Sequence, residues 1–169
     1  MGRGIMVCGL NGCGKSTFGR ALAEALGYHF IDIEDLFFPE KGMYASPRSR
    51  DEAQELLLGE VRGHGNFVLA MVKGDDMSAI LLYCRMAVLM EVPRGIRLER
   101  VRERSYQRFG ARMLPGGDLY EQEQSFLRKV SARSEREVEA WAQGLPCPIV
   151  RIDGTKPVEE NIRLLKELL

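Results

Sequence analysis

The sequence has no excess of charge of either sign: 24 Lys and Arg stand against 24 Asp and Glu over 169 residues. That balance argues against general affinity for nucleic acid or for an anionic membrane surface. Long apolar runs are also missing. The longest, AILLYCRMAVLMEV, is broken by Arg85 and falls short of a membrane span, and the apolar run at the N-terminus is too short for a signal-peptide core. Histidine is scarce, with only His29 and His64. The cysteines Cys8, Cys13, Cys84 and Cys147 lack CxxC spacing, so neither a zinc site nor a disulfide framework is expected, and a reducing cytoplasm is the default setting. Repeats, low-complexity tracts and linkers are absent as well. The chain therefore reads as one domain over 1–169, long enough to bury a real core.

What is present is concentrated near the start. Residues 9–17 read GLNGCGKST, between a short apolar run and an Ala/Leu-rich stretch. Gly9, Gly14, Lys15 and Ser16 occupy the fixed positions of G-x-x-x-x-G-K-[ST]. Phosphates need several backbone N–H groups turned inward, which glycine conformations permit, and the helix starting near Lys15 adds its positive end. Lys15 can then reach the β- and γ-phosphates, while the Ser16 hydroxyl suits Mg²⁺. A chance match in a chain of this size is roughly 1%, and the required strand before and helix after are both there. The loop from Gly9 through Asn11, Gly12, Cys13 and Gly14 to Thr17 is read as a site for ATP or GTP phosphates.

Along the chain, apolar strand candidates alternate with helical patterns. Strands are expected at Gly4–Gly9, Tyr28–Asp32, Asn66–Val72, Met86–Val92 and Pro148–Asp153. Most are continuous apolar runs, as in strands covered on both faces. Helices are expected at Lys15–Leu26, Pro47–Arg62, Ile96–Phe109 and Val158–Leu169, with Gly27, Gly63 and Gly110 as stop signals for the first three. Phe38–Ser46 reads as a loop, and Gly110–Trp141 as an arginine-bearing loop followed by a long helical segment in which Leu119, Phe126, Leu127 and Val130 pack. The alternation predicts an α/β fold with a mostly parallel sheet and helices on both sides.

Together these pieces resemble the small P-loop kinases of the adenylate, shikimate and gluconate kinase type, within the P-loop NTPase superfamily. The resemblance implies a three-layer fold with a five-stranded parallel sheet in the order 2-3-1-4-5, Mg²⁺ and ATP as cofactors, and a mobile lid. It places an acidic cluster in FIDIEDLF, an arginine-bearing segment in RLERVRERSYQRFGARMLPGGD with the lid over residues 104–118, and a loop beneath the adenine in IVRIDGTKPVEEN, through Gly154, Thr155 and Pro157.

Among the acids, Asp32, Glu34 and Asp35 fall at the C-terminal end of the second strand, where open α/β sheets place ligands. By the resemblance Asp32 is the metal-side or base candidate, with Ser16 as the other metal ligand and Glu34 in place of a second acid. Asp32 and Asp35 as caps of a short helix, DLFF, is the competing reading. Asp75 and Asp76 are rival acids, and no acid ends the third strand itself. Among the bases, Arg97, Arg100, Arg104 and Arg108 recur along one helix face, with Arg112 beyond Gly110. Arg97 and Arg100 read as a solvated face relieved by Glu99 and Glu103, while Arg104, Arg108 and Arg112 approach the lid and could stabilise a transferring phosphoryl group. Arg48, Arg50 and Lys73 are placed on the acceptor side by the same resemblance, against plain surface charge as the alternative. Tyr44, Phe37 and Phe38 are candidates for an apolar wall, with core packing the simpler reading for the two phenylalanines.

The resulting expectation is a Mg²⁺-dependent small-molecule kinase, monomer or homodimer, that uses neither nucleic acid nor membrane. A nucleoside monophosphate is the leading acceptor, and a sugar acid or other hydroxyl-bearing metabolite comes next. A nucleotide-binding regulator or slow ATPase without an acceptor is the alternative of another class. Cys13, inside the loop near a helix N-terminus, is expected either to carry a lowered thiol pKa or simply to fit as a small side chain.

Overall fold

The computed structural model describes residues 3–39, 47–74 and 78–169. Five strands form one sheet: β1 (Gly4–Cys8), β2 (His29–Asp32), β3 (Phe67–Met71), β4 (Cys84–Glu91) and β5 (Ile149–Asp153). Their order is β2-β3-β1-β4-β5, and every described pairing is parallel. This is the expected three-layer α/β arrangement and strand order. The helices are α1 (Lys15–Leu26), α2 (Ile33–Phe37), α3 (Arg50–His64), α4 (Ser78–Leu81), α5 (Arg94–Phe109), α6 (Tyr120–Ala132), α7 (Glu135–Gln143) and α8 (Val158–Lys166).

The two-residue period of a strand sorts its side chains between two cores. From β1, Met6 and Cys8 enter one and Ile5 and Val7 the other. Strand β3 repeats the division, with Phe67, Leu69 and Met71 on one face and Val68 on the opposite one. The first core is closed by Leu57 and Val61 of α3, Ile80 of α4, and Val138 and Ala142 of α7. The second is closed by Phe18 and Leu22 of α1 and Leu165 of α8. Each of the Val, Leu, Ile and Phe side chains among these, taken fully from water, contributes about 1.5–3 kcal/mol. A sheet buried on both faces therefore holds the strand ends, and whatever loops leave them, in fixed register.

Several boundaries differ from the sequence expectation for identifiable reasons. Gly63 does not stop its helix: α3 runs on to His64, and Gly65 at φ 61° is the residue that turns the chain. Its start is set by a reciprocal capping box, with Ser49 accepting from the Glu52 N–H and the Glu52 carboxylate accepting from Ser49 N. The long segment after Gly110 is not one helix. A 3-10 turn at Gly110–Met113 leads to α6, and Ser134 then caps a separate α7 by accepting from the Arg136 N–H. Leu119 and Val130 are buried, while Phe126 is exposed. Phe37 packs at the edge of the first core and Phe38 is exposed. The loop at 40–46 with Tyr44, and the rival acids Asp75 and Asp76, lie outside the described residues.

Candidate active site

The loop between β1 and α1 crosses the C-terminal end of the sheet. Gly12 and Gly14 hold φ of +84° and +90°, a region that side-chain-bearing residues rarely enter. At Gly12 a Cβ would collide with the carbonyl oxygen of Arg97, so the loop lies directly on the first turn of α5. Helix α1 then begins at Lys15 without a side-chain cap. Its first-turn N–H groups thus have no capping side chain and sit at the positive end of the helix dipole, an arrangement suited to phosphate. Lys15 is only 6% exposed, Ser16 is half-buried one position on, and Thr17 is exposed.

The loop is braced from below by arginines. Arg97, 3% exposed, donates from Nη1 to Asn11 O at 3.2 Å, from Nε to Val92 O at 3.3 Å, and from Nη2 to Glu135 at 3.3 Å. Arg100 donates from Nη1 to Gly12 O and to Gly154 O, at 3.3 Å each. Arg133, leaving the end of α6, donates to the Asn11 side chain at 2.6 Å. The solvated reading of Arg97 and Arg100 is therefore wrong. Helical spacing showed that they share a face, but not that the phosphate loop covers it. Arg133 was missed altogether, because nothing local marks an arginine 122 positions from its partner.

Arg100 also joins the phosphate loop to the β5–α8 loop. There Asp153 accepts from Thr155 N and Oγ1 at 2.8 and 2.6 Å, which holds its carboxyl below the usual range. Asn161 fixes the Asp153 carbonyl at 2.8 Å, and Pro157 precedes α8. A Cβ on Gly154 would meet Val92 and the Cys13 carbonyl, so Gly154 is packed against the phosphate loop.

Asp32 ends β2. It pairs in register with Ala70 of β3, which pairs with Val7 of β1, so it lies two strand spacings, about 10 Å, from the strand that feeds the loop. Its Oδ1 accepts from the Glu34 N–H at 3.1 Å and caps α2. Asp35 instead lies in the first turn of that helix, and both Glu34 and Asp35 are exposed. Asp32 thus both caps α2 and stands at the C-terminal end of the sheet. Arg48 spends Nη1 on Leu36 O at 2.7 Å, while Arg50 opens α3 on the surface and Lys73 follows β3, half-buried.

Of the lid candidates, Arg104, Arg108 and Arg112 are exposed. Arg108 lies over the Phe109 ring at 5.1 Å, and Arg112 makes a two-pronged pair with Asp118 at 3.0 and 2.6 Å. That guanidinium holds the Asp118 carboxyl below its ordinary range. Cys13 is the small side chain that fits rather than the reactive thiol: it is fully buried, and burial pushes its pKa up against the opposing pull of Lys15 and Arg97.

A cavity of ≈ 570 Å³ opens behind the loop, at the C-terminal ends of β1, β4 and β5, with Gly9, Leu10, Met90, Arg97 and Glu135 in its wall. Neither Asp32 nor Arg48 lines it. Among the described residues no helix is long and apolar enough to cross a membrane.

Residues 5–125 match the family described as AAA domain. The chain is 30% identical over 173 residues to the uncharacterized protein YqaC of Bacillus subtilis (strain 168), covering 96% of this chain and 94% of that one. It is 29% identical over 113 residues to the shikimate kinase of Thermosynechococcus vestitus, covering 60% and 61% of the two chains. The structure of a gluconokinase from Sinorhizobium meliloti 1021 superposes with a TM-score of 0.57 at 21% identity, over 95% of this chain and 87% of that one, and so shares the fold.

Proposed function

Since the chain belongs to the AAA domain family and has the architecture of the small P-loop kinases, we propose that it is an ATP- and Mg²⁺-dependent kinase that phosphorylates a hydroxyl group of a small carboxylic or sugar acid. The observation that carries this reading is the Gly9–Ser16 loop lying on the uncapped N-terminus of α1, with Lys15 at the first helical position. The names of the relatives favour the acid over a nucleoside monophosphate: one is a shikimate kinase and one a gluconokinase.

The residues present fit the cofactors. Bound ATP would supply the phosphoryl group, and Mg²⁺ would neutralise the negative charge of its phosphates. The loop amides and Lys15 hold the phosphates, and the Ser16 hydroxyl and the Asp32 carboxylate offer oxygen ligands to the metal side. Asp32 also offers a base for the acceptor hydroxyl, through the carboxylate capacity left after capping α2. Gly154, Thr155 and Pro157 border the adenine. Arg104, Arg108 and Arg112 belong to a lid over residues 104–118 that brings positive charge to the transferring group and excludes water. Glu34, Asp35, Arg48, Arg50 and Lys73 border the acceptor, whose carboxylate needs a cation with more than one donor.

A coupled ADP-release screen over hydroxy acids, sugar acids, sugars, nucleosides and nucleoside monophosphates tests the assignment. One hydroxyl-bearing acid should raise the rate far above the ATP-only background, and Lys15→Ala should abolish the response. A rate that rises only with a nucleoside monophosphate would replace the acceptor class. A flat response across the panel would favour a regulator or slow ATPase.

A further inference from the structure

The chain's two histidines, distant in sequence, meet at one carboxylate. His29 opens β2, and Glu60 and His64 lie four positions apart on one face of α3, near its end. The imidazole rings are stacked, with centroids 3.6 Å apart and planes 11° from parallel. Both Nε2 atoms approach the same oxygen: Glu60 Oε2 is 2.7 Å from that of His29 and 3.6 Å from that of His64. One ligand atom from each of the three residues falls within 4.8 Å of the others.

We propose that His29, Glu60 and His64 form a binding site for a divalent transition ion of the zinc type, separate from the phosphate loop. Two imidazole nitrogens and a carboxylate oxygen suit zinc, nickel or copper, whereas Mg²⁺ and Ca²⁺ take oxygen sets. Zinc–nitrogen bonds of about 2.0–2.1 Å place tetrahedral ligand atoms a little over 3 Å apart, near the two Glu60 separations. An ion in the plane of both imidazoles requires the more exposed His64 ring to turn out of its stack on binding. A hydrogen bond to Glu60 alone would account for His29. It does not account for the second, more exposed imidazole, whose Nε2 lies 3.6 Å from the same oxygen. The solvent side is open, with His64 47% and Glu60 41% exposed at the side chain, which leaves a fourth position for water.

The site lies at the opposite end of the sheet from the candidate active site. His29 pairs with Phe67 at the start of β3, and Asp32 lies three residues on, about 10 Å along the strand. An ion there would tie the last turn of α3 to the first residue of β2 without touching the nucleotide side. The absence of CxxC spacing and the presence of only two histidines argue against zinc in the sequence. Only the fold, through β2 and α3, brings both of them to Glu60.

The test is a zinc titration of the full-length, chelator-treated chain, without nucleotide, against a chromogenic zinc indicator, with thermal melting in parallel. One equivalent should bind with half-saturation at micromolar zinc, and the ion should raise the melting temperature. His64→Gln and Glu60→Gln should each weaken binding at least tenfold and remove the thermal shift, while Mg-ATP affinity stays unchanged. Cys147→Ser should leave zinc binding intact, which excludes the most accessible thiol as the ligand. Wild-type-like binding in the His64→Gln and His29→Gln variants would overturn the proposal, as would the absence of saturable binding by the wild type at a large excess of zinc.

Discussion

The Arg97 side chain, 3% exposed, donates from Nη1 to the carbonyl oxygen of Asn11 at 3.2 Å. A buried guanidinium from the first turn of α5 thus holds the phosphate loop from beneath. Its pair with Glu135, which is 67% exposed, contributes little, whereas the buried carbonyls it satisfies would be costly to orphan. Arg97→Met is expected to cost about 1–3 kcal/mol in denaturant unfolding and to weaken Mg-ATP binding. Arg97→Lys should rescue little, because an ammonium cannot serve three partners in a planar fork. Equal stability and ATP affinity in the Met variant would show that the loop keeps its shape without this brace.

Gly12 meets the same arginine from the other side. Its φ of +84° and the contact of an added Cβ with the Arg97 carbonyl make Gly12→Ala strained twice over. Calorimetry should show Mg-ATP affinity reduced at least about tenfold, or ~1.4 kcal/mol. Undiminished affinity in a folded Gly12→Ala protein would contradict the described loop conformation.

The buried thiols make stability fall in alkali. Burial, and secondarily the Cys147 thiol, pushes Cys84 up to about 12 from an ordinary 9.0. A pKa raised by folding means that the unfolded chain loses its proton first. The contribution is therefore intact below pH 9 and is lost progressively as pH rises toward the folded value. From Cys84 alone the loss at pH 10 is about 1.4 kcal/mol, and Cys8 and Cys13 shift in the same direction. Urea unfolding at pH 8 and pH 10 should show the drop, and Cys84→Ala should shrink it. A drop of the same size in that variant would remove Cys84 as a cause.

The same burial orders the cysteines by reactivity. Cys147 is half-buried, whereas Cys8, Cys13 and Cys84 are buried. Brief alkylation followed by mass spectrometry should label Cys147 first, with or without ATP. Early labelling of Cys13 would mean that the loop opens far more than the packed structure allows.

The contrast between Cys13 and Lys15 shows what a sequence can convey. The phosphate loop was legible because its spacing is a local requirement of backbone geometry. Apolar runs such as FVLAM, alternating with helical patterns, pointed to a parallel sheet covered on both faces, whereas the strand order rested on the resemblance to the small P-loop kinases. Arg97 and Arg133 were misread or missed because their partners, Asn11 in both cases, are distant in sequence and nothing nearby marks them. The stop at Gly63 failed because glycine permits a turn without requiring one, and the capping and packing of α3 carried it to Gly65. Of the two readings of Cys13, the structure bears out the small side chain that simply fits, because burial in the second core outweighs the pull of Lys15 and Arg97 on its thiol.

Arg108 carries the lid reading. It lies over Phe109 at 5.1 Å, just before Gly110, where φ is 54° and the chain turns out of α5. If it meets the phosphates only on closure, Arg108→Ala lowers kcat about a hundredfold, roughly 2.7 kcal/mol. The KM for ATP should change much less. Near-normal kcat would move the role to Arg104 or Arg112.

The central claim is transfer rather than hydrolysis, and the destination of the γ-phosphate tests it most directly. The protein is incubated with γ-labelled ATP, Mg²⁺ and the hydroxy acid that most accelerates ADP release, and the label is followed by chromatography and mass spectrometry. The account predicts label in a phosphate ester of the acid, in one-to-one proportion with ADP, and none with Lys15→Ala. Label found only in inorganic phosphate, whatever acid is present, would contradict it.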